Sequence, residues 1–342
     1  MTGIECKSAN RVTPMEYFNS GIAVVIPCYK VKKHILAVLA AISSDVRRIY
    51  VVDDKCPENT GQHVLDNVAD PRVVVLFNET NQGVGGAVIR GYKEALQEDD
   101  IRVVVKIDGD GQMDPALLRN FAAPILDGEA DYTKGNRFYF LDKISTMPGA
   151  RIFGNAGLSF MTKFSSGYWQ LFDPTNGYTA IHAAVLKHLP LDKIDRRYFF
   201  ETDMLFRLNS LRAAVIDIPM DAKYENESSN IKIGHVFWEF LFKHLKNTLK
   251  RIFYNYYLRD LSIASVELPL GIIFFFFGVI FGISRWLAAM EAGSAATAGT
   301  AIIASTFIIV GMQLILNFLA HDIAMVPKRP VHPRFGPYDI SR

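Results

Sequence analysis

The sequence predicts an α/β protein whose mostly parallel sheet is followed by membrane-associated helices. Short β-branched runs alternate with segments of helical period between residues 21 and 107, which is the pattern of βαβ units. Apolar residues then concentrate after residue 261. Two uncharged runs, 268–284 and 292–320, each reach the minimum of about 17 residues for a spanning helix. The 342 residues carry a formal net charge of only +2, which gives no indication of a nucleic-acid partner.

The predicted strands are short apolar runs with helices between them; the first is closed by Pro27, and the second ends in Asp53 and Asp54. The strands cover residues 21–27, 48–54, 73–77 and 103–107, and the helices cover residues 31–42, 60–68 and 87–97. Because βαβ crossovers make such strands parallel, their carboxyl ends meet at one sheet edge, where open α/β sheets bind ligands. The N-terminus lacks a hydrophobic signal segment, and the three cysteines show no C-x-x-C spacing, so we expect a cytosolic domain without disulfides or zinc.

Two acids directly follow the strand at 103–107. Asp108 and Asp110 are two residues apart and would point the same way in an extended chain. Paired carboxylates repel each other unless a cation lies between them, and Mg²⁺ or Mn²⁺ bridging phosphates is the usual occupant. The alternative is a solvated Asp/Gly turn. The buried strand before the acids, and Gln112 and Asp114 after them, favour the metal site.

Three motifs and a glycine loop stand in a fixed order along the first domain. They are Val-Ile-Pro-Cys-Tyr at 25–29, Val-Val-Asp-Asp-Lys-Cys-Pro-Glu-Asn-Thr at 51–60, the glycine loop at 81–87, and Ile-Asp-Gly-Asp-Gly-Gln-Met-Asp-Pro at 107–115. Together they resemble the family 2 glycosyltransferases over roughly residues 20–220. The resemblance implies a type A glycosyltransferase fold that binds a nucleotide-diphosphosugar and Mg²⁺ or Mn²⁺. It implies donor-binding roles for Pro27, Tyr29, Asp53, Asp54, Asn81, Gly83, Asp108 and Gln112, and metal-binding roles for Asp108, Asp110 and Gln112.

The chain departs from the family pattern near the expected base pocket. Lys30, Val31, Lys32 and Lys33 stand where the family often has a glutamate, and Asp-Asp-Lys-Cys at 53–56 replaces Asp-Asp-Gly-Ser, so the nucleotide is left open. Gly83 and Gly85 alone could also suggest a dinucleotide-binding fold. That fingerprint belongs on the first strand of its unit, whereas this loop follows the third.

Arginines past the acid motif point to a phosphate on the acceptor. Residues 131–137 end in Gly-Asn-Arg, an element similar to that of polyprenyl-phosphate sugar transferases, and Arg151 follows Pro148-Gly149. A guanidinium fork suits a phosphate, although surface salt bridges are the alternative. Residues 173–178 resemble the acceptor-side loop of the family, and 224–232 predict a loop or lid. In the family-like helix start at 199–204, Glu201 or Asp203 is either a general base or a structural acid. The predicted catalytic residues are Asp110, Arg137, Arg151 and Asp203.

The C-terminal third predicts attachment to a membrane. Residues 235–260 place lysines opposite an aromatic face, which suits an interfacial helix, with a core-facing helix as the alternative. Lysines and arginines cluster on both outer flanks of the two apolar runs, whereas the turn at 285–291 contains a single basic residue, Arg285. Because basic residues concentrate on the cytoplasmic side of a membrane, both flanks are expected in the cytosol and the turn, which also contains Trp286 and Glu291, outside it. Gly271, Gly278 and Gly282 allow close helix approach, which is compatible with contacts in a homo-oligomer. The predicted organisation is a lead-in at 1–20, a catalytic domain at 21–234, an interfacial region at 235–262, a transmembrane hairpin at 263–326 and a cytosolic tail at 327–342.

These features predict an integral membrane enzyme of a bacterial inner membrane, with its catalytic domain in the cytosol. The expected reaction is inverting transfer of a sugar from a nucleotide-diphosphosugar to a polyprenyl phosphate. A processive polysaccharide synthase is a second hypothesis, but it needs more membrane helices and a Q-x-x-R-W motif that the chain lacks. Transfer to another lipid, such as diacylglycerol, remains open. So does a non-catalytic scaffold that binds a sugar nucleotide at the membrane.

Overall fold

The computed structural model describes residues 21–140, 149–221 and 233–335. The predicted lead-in at 1–20, the predicted loop at 224–232, and the side chains of 149–153 and 233–237 lie outside the described residues. The chain divides into two compact units. The sheet unit contains residues 1–160, 171–236 and 327–342, and the helical unit contains residues 161–170 and 237–326.

Seven strands form the sheet of the sheet unit, in the order β3-β2-β1-β4-β6-β5-β7. Strand β6 is antiparallel to β4 and β5, and the other neighbouring pairs are parallel. The prediction of a mostly parallel α/β sheet is therefore confirmed. The strands are β1 (Ile22–Cys28), β2 (Val46–Asp53), β3 (Val73–Phe77), β4 (Val103–Lys106), β5 (Tyr132–Asn136), β6 (Thr179–His182) and β7 (Val215–Pro219).

The centre of the sheet is buried on both faces because helices cover it. Every residue of β1 and β4 is buried, as expected for apolar, β-branched strands in a covered parallel sheet. The helices of the sheet unit are α1 (Ile35–Ala40), α2 (Thr60–Asn67), α3 (Val84–Ala95), α4 (Leu118–Leu126), the first part of α5 (Gly149–Ser166), α6 (Ala183–His188) and α7 (Phe200–Ser210).

The start of α3 differs from its predicted position. The helix begins at Val84 rather than residue 87, so that Gly85 and Gly86 lie within its first turn. Gly83 precedes the helix with a φ of 83°, which favours glycine. The glycine motif therefore combines a left-handed residue with two helical positions that carry no side chain. A dinucleotide fingerprint would instead follow the first strand of the sheet.

The helical unit contains two helices long and apolar enough to cross a membrane. They are α9 (Ile263–Glu291) and α10 (Ala298–Ala324), and they follow α8 (Ile233–Phe253) and a π-helical segment (Tyr254–Arg259). Arg285, Trp286 and Glu291, predicted in the turn, continue α9 instead. Nothing in this part of the sequence breaks the helix, and polar side chains near its end can extend towards water.

Glycines set the distance between α9 and α10. A Cβ on Gly271 would lie 3.0 Å from the Gly311 carbonyl oxygen, and one on Gly278 would lie 2.8 Å from the Ala304 carbonyl oxygen. A Cβ on Gly282 would lie 3.2 Å from the Ala304 Cβ. These glycines therefore pack within the hairpin of a single chain, as small residues do in membrane helix pairs. A homo-oligomer stays a prediction.

Helix α8 exposes its apolar side chains and buries polar ones. Trp238, Phe242, Leu245, Leu249 and Phe253 are 51% to 67% exposed. His244, Asn247 and Arg251 are buried. Such a helix is not an ordinary core-facing one, because its large apolar side chains are not covered by the described parts of the protein.

A buried carboxylate holds the helical unit together. Asp322 of α10 accepts hydrogen bonds from both terminal nitrogens of Arg251, at 2.6 and 2.9 Å. It also accepts from the Tyr256 hydroxyl at 2.7 Å and from Trp169 Nε1 at 2.8 Å. The end of α10 is thereby tied to α8 and to the segment after α5.

The segment after α10 belongs to the sheet unit. Asp131, fully buried just before β5, accepts hydrogen bonds from the backbone N–H groups of Ala214, Val331 and His332 at 2.7 to 3.0 Å. His332 Nδ1 lies 2.8 Å from the same carboxylate, and the His332 ring stacks on His182 at 4.1 Å. We call Asp131, Val331 and His332 the tail clasp.

Candidate active site

A pocket of about 610 Å³ lies at the carboxyl ends of β1, β2 and β4. This is the edge at which parallel sheets present their ligands. The pocket brings together three of the sequence motifs, because the register sets Cys28 of β1 beside Asp53 of β2. Its lining residues are Pro27, Cys28, Tyr29, Val31, Asp54, Asn81, Gly83, Val84, Ala87, Asp108, Gly109, Asp110, Arg197 and Tyr198.

The two acids after β2 shape the wall of the pocket. Asp53 is buried and accepts the N–H groups of Cys56 at 2.7 Å and Gly61 at 2.6 Å, so it fixes the loop into α2 and does not line the pocket. Asp54 accepts Asn78 Nδ2 and the N–H groups of Gln82 and Gly83, each at 2.8 Å. Although it lines the pocket, its carboxylate therefore fixes the glycine loop.

The acids after β4 face the pocket together. Asp108 and Asp110 both line it, whereas Gln112 does not; the Gln112 N–H donates to Asp110 Oδ1 at 3.0 Å. The described residues contain no group of three or more His, Cys, Asp or Glu side chains that could hold a metal. Two accessible carboxylates nevertheless fit a divalent ion, because Mg²⁺ is commonly held by one or two carboxylates and completed by substrate phosphates.

A buried lysine, which the sequence motifs did not reveal, stands behind Asp108. Lys106 of β4 is 1% exposed, and its Nζ lies 2.9 Å from Asp108 Oδ1 and 3.2 Å from Glu201 Oε1. Burial lowers the pKa of Lys106, but the two carboxylates outweigh it and raise the pKa above its usual value. A lone charged residue inside an apolar strand was the signal for this ion pair.

Gly177 allows the chain to approach this pair closely. A Cβ at Gly177 would lie 2.8 Å from Asp108 Oδ2 and would also collide with Lys106 Nζ. Nearby, the buried Lys134 donates to the Asn176 carbonyl oxygen at 2.5 Å. Burial lowers the pKa of Lys134 to about 8, against the opposing effect of Glu201 and Asp173. The family-like loop at 173–178 thus packs directly on the charged residues beneath the acid motif.

Of the predicted arginines and bases, Arg137, Glu201 and Asp203 do not line this pocket. Arg137 donates from Nε and Nη2 to Asp173 at 2.7 and 2.8 Å, which fixes its guanidinium. Arg151 lies in α5, and its side chain lies outside the described residues. Asp203 accepts the Asp195 N–H at 3.0 Å and pairs with Arg207. Together with the Glu201–Lys106 pair, this favours a structural role for both acids of α7.

Two lining residues escaped the sequence motifs. Arg197 and Tyr198 reach the pocket from the segment between the 3₁₀ turn Leu191–Lys193 and α7. Tyr198 is 64% exposed, and Tyr29, from the end of β1, is 47% exposed. The Asp-Arg-Arg-Tyr sequence directly before the helix start at 199–204 was the available signal.

The fold and the pocket define an α/β domain with an acid pair at the carboxyl ends of its parallel strands. The profile of "Glycosyl transferase family 2" matches residues 23–189. Over 203 residues the chain is 30% identical to undecaprenyl-phosphate mannosyltransferase of Micrococcus luteus, covering 58% of this chain and 82% of that protein. The protein therefore belongs to glycosyl transferase family 2, and the predicted family and enzyme class are confirmed.

Other relatives agree with this assignment. The chain is 27% identical, over 231 residues, to UDP-N-acetylglucosamine–dolichyl-phosphate N-acetylglucosaminyltransferase of Methanococcus voltae, covering 62% of this chain and 91% of that protein. A solved structure of glucosyl-3-phosphoglycerate synthase from Mycobacterium tuberculosis, in complex with Mn²⁺ and UDP-glucose, has a similar fold. Its TM-score is 0.53 at 19% identity, covering 70% of this chain and 85% of that one. The predicted type A glycosyltransferase fold is confirmed.

Proposed function

We propose that the protein transfers a sugar from a nucleotide-diphosphosugar to a polyprenyl phosphate at the cytosolic face of a membrane. The observation that carries this proposal is the combination, in one chain, of a family 2 acid-pair pocket with two helices long enough to cross a membrane. A membrane anchor suits a lipid acceptor. The similarity to transferases named for undecaprenyl and dolichyl phosphate supports a phosphate on that lipid.

The pocket residues suit the donor half of this reaction. Asp108 and Asp110 would hold Mg²⁺ or Mn²⁺, and the bound ion would offset the charge of the departing nucleoside diphosphate. Lys106 holds Asp108 in place from behind. Pro27, Tyr29, Asp54, Asn81 and Gly83 are the donor-binding residues that line the pocket, whereas Asp53 would act by shaping the loop at its rim.

The acceptor half needs cations more than it needs a base. A phosphate monoester is already anionic near neutral pH, so it can attack the sugar C1 without a strong general base. This agrees with the contacts of Glu201 and Asp203, both of which pair with cations. We assign the acceptor phosphate to Arg137, which Asp173 orients, and to Arg151. Attack on the face opposite the leaving group would invert the anomeric configuration.

The charge pattern and the chain path support a cytosolic sheet unit. The chain leaves the sheet unit after residue 236 and returns to it at residue 327, where Val331 and His332 donate to Asp131, so the sheet unit both precedes and follows the 237–326 segment. The exposed apolar face of α8, with Lys246 and Lys250 also exposed, suits the membrane interface. With Ser294→Cys, a membrane-impermeant maleimide should label intact cells, whereas with Lys328→Cys it should label them only after permeabilisation. The reverse pattern would overturn this orientation.

Transfer can be tested in membranes that contain the full chain. Radiolabelled UDP-glucose, UDP-N-acetylglucosamine and GDP-mannose would each be supplied with Mn²⁺ and either undecaprenyl or dolichyl phosphate. We expect label from one donor to enter a lipid that mild acid hydrolyses, and we expect EDTA or Asp110→Asn to abolish it. Label in an acid-stable glycerolipid would indicate diacylglycerol as acceptor, and label in polymer would indicate a polysaccharide synthase. Either result would refute the proposal.

A further inference from the structure

A second segment of the chain packs directly against the glycine motif at 83–86. This segment, which we call the 195–198 loop, consists of Asp195, Arg196, Arg197 and Tyr198. A Cβ on Gly83 would lie 2.6 Å from the Arg196 carbonyl oxygen, and one on Gly85 would lie 2.6 Å from that of Asp195. The Gly86 N–H donates to the Arg196 carbonyl at 3.0 Å. The loop can lie this close to α3 because glycines stand at these positions.

The loop is also fixed by its own contacts. The Arg197 N–H donates to Asp195 Oδ1 at 2.9 Å, and the Asp195 N–H donates to Asp203 Oδ2 of α7 at 3.0 Å. Bonds at both ends hold the backbone of Arg197 against the pocket. Its position is therefore set before any ligand binds, which limits the conformational entropy that binding would cost.

Arg197 supplies positive charge to a pocket that is otherwise lined by neutral and acidic residues. Of the described residues that line the pocket, Arg197 alone is cationic, whereas three are aspartates. Asp54 is offset by three N–H donors, and Asp108 by Lys106. Within the described ranges, the Arg197 guanidinium forms no hydrogen bond or ion pair. An anionic ligand in this pocket could therefore form an ion pair with the Arg197 guanidinium.

We propose that Arg197 binds the diphosphate of the sugar-nucleotide donor and that the exposed ring of Tyr198 packs against its nucleoside. This inference rests on the proposed function. The donor is favoured over the lipid phosphate because Arg197 packs on Gly83, whose N–H donates to Asp54. Gly83 and Asp54 both line the pocket and are among the proposed donor-binding residues. A planar fork suits paired phosphate oxygens, and a tyrosine ring offers a stacking face to a base.

The test compares neighbouring arginines in the full chain in detergent. Calorimetry would measure the affinities for UDP, GDP, CDP and dTDP with Mn²⁺. Arg197→Ala should weaken binding of the preferred nucleoside diphosphate by about tenfold or more, and Arg197→Lys should restore only part of the affinity. Arg196→Ala is the matched control, because Arg196 contacts Gln82 at 3.4 Å and does not line the pocket. Its affinity should stay within about twofold of wild type.

A second measurement separates the two possible sources of phosphate. Initial rates would be recorded with undecaprenyl phosphate varied at saturating donor. An Arg197→Ala variant that binds the nucleoside diphosphate normally but has a raised KM for the lipid would overturn the donor assignment. Unchanged affinity and unchanged KM would overturn any phosphate role for Arg197. If the wild-type chain binds none of the four nucleoside diphosphates, the proposed function itself fails, and this inference fails with it.

Discussion

Two carboxylates at opposite edges of the same sheet have opposite surroundings. Asp131, at the start of β5, is fully buried, and its oxygens receive N–H groups from Ala214, Val331 and His332. The side chain of Asp108, after β4, is 30% exposed. Its Oδ1 is buried 2.9 Å from the Lys106 ammonium, and the residue lines the pocket. A carboxylate saturated by N–H donors holds the fold together, whereas one that is partly exposed in a pocket is available to a ligand.

The largest expected effect on transfer activity comes from removing the accessible carboxylate of Asp110. Asp110→Asn should lower transfer by about a thousandfold or more, because bound metal contributes several kcal/mol of charge stabilisation. Thermal unfolding should be unchanged, since Asp110 lies at the pocket rather than in the core. Glu129→Gln, an exposed carboxylate outside the pocket, is the control and should retain activity. Full activity of Asp110→Asn with Mg²⁺ or Mn²⁺ would show that transfer needs no metal held by Asp110.

The second prediction concerns the cation behind Asp108. Lys106→Met leaves Glu201 buried without its partner, and breaking a buried ion pair costs about 3–5 kcal/mol of the free energy of unfolding. Denaturant unfolding of the full chain would measure this loss. Adding Glu201→Gln to Lys106→Met should recover part of the stability, because the unpaired charge is removed. A double variant whose loss equals the sum of the single losses would show that the two residues act independently.

The sequence predicted the first four strands of the sheet and one half of the pocket because both follow from local pattern. Buried β-branched runs located β1, β2 and β4, of which β2 and β4 are followed by acids, and parallel topology then brought Asp54, Asn81, Asp108 and Asp110 to one edge. The same pattern could not show that Asp53 faces away from the pocket. Adjacent residues in an extended chain point to opposite sides, so only one of Asp53 and Asp54 can face it.

Contacts between distant segments were beyond the reach of local pattern. Lys106 meets Glu201 across 95 residues of sequence, and Asp131 meets His332 across 201. Neither pairing has a periodic signal. The glycine motif could be identified in the sequence, but the packing that requires glycine there involves the 195–198 loop, which lies more than 100 residues later in the chain. The sequence therefore located the acids, whereas the structure identified the groups that hold or surround them.

A third prediction uses the close approach of the backbone at Gly177. Gly177→Ala would place a methyl group 2.8 Å from Asp108 Oδ2, so the carboxylate must move. Displacing a catalytic group by about 1 Å can cost roughly a hundredfold in rate, and we expect a loss of that order in kcat. Gly157→Ala in α5 is the control, because its methyl group would meet nothing within 4 Å. Equal activity of the two variants would show that Asp108 tolerates displacement.

The smallest expected effect lies at the tail clasp and depends on pH. Burial raises the pKa of Asp131, but hydrogen bonds from His332, Val331 and Ala214 outweigh it, so the pKa falls below its usual value of about 3.9. The charged carboxylate therefore contributes stability above about pH 4, and that contribution is lost as the pH falls through the lower folded-state pKa. At pH 7, Asp131→Asn should lose about 1–3 kcal/mol of the free energy of unfolding, because strong acceptors are removed from buried N–H groups.

Thermal unfolding of the full chain between pH 3 and pH 8 measures this difference. The gap between wild type and Asp131→Asn should be constant above pH 5 and should shrink below pH 4, where the wild-type carboxyl group also becomes neutral. Glu129→Gln, two residues earlier and exposed, should follow the wild-type curve. Nucleoside diphosphate affinity should not change in Asp131→Asn, because the tail clasp lies at the edge opposite the pocket. A gap that persists unchanged at pH 3, or a loss of nucleotide affinity, would mean that Asp131 does more than fasten the tail to the sheet.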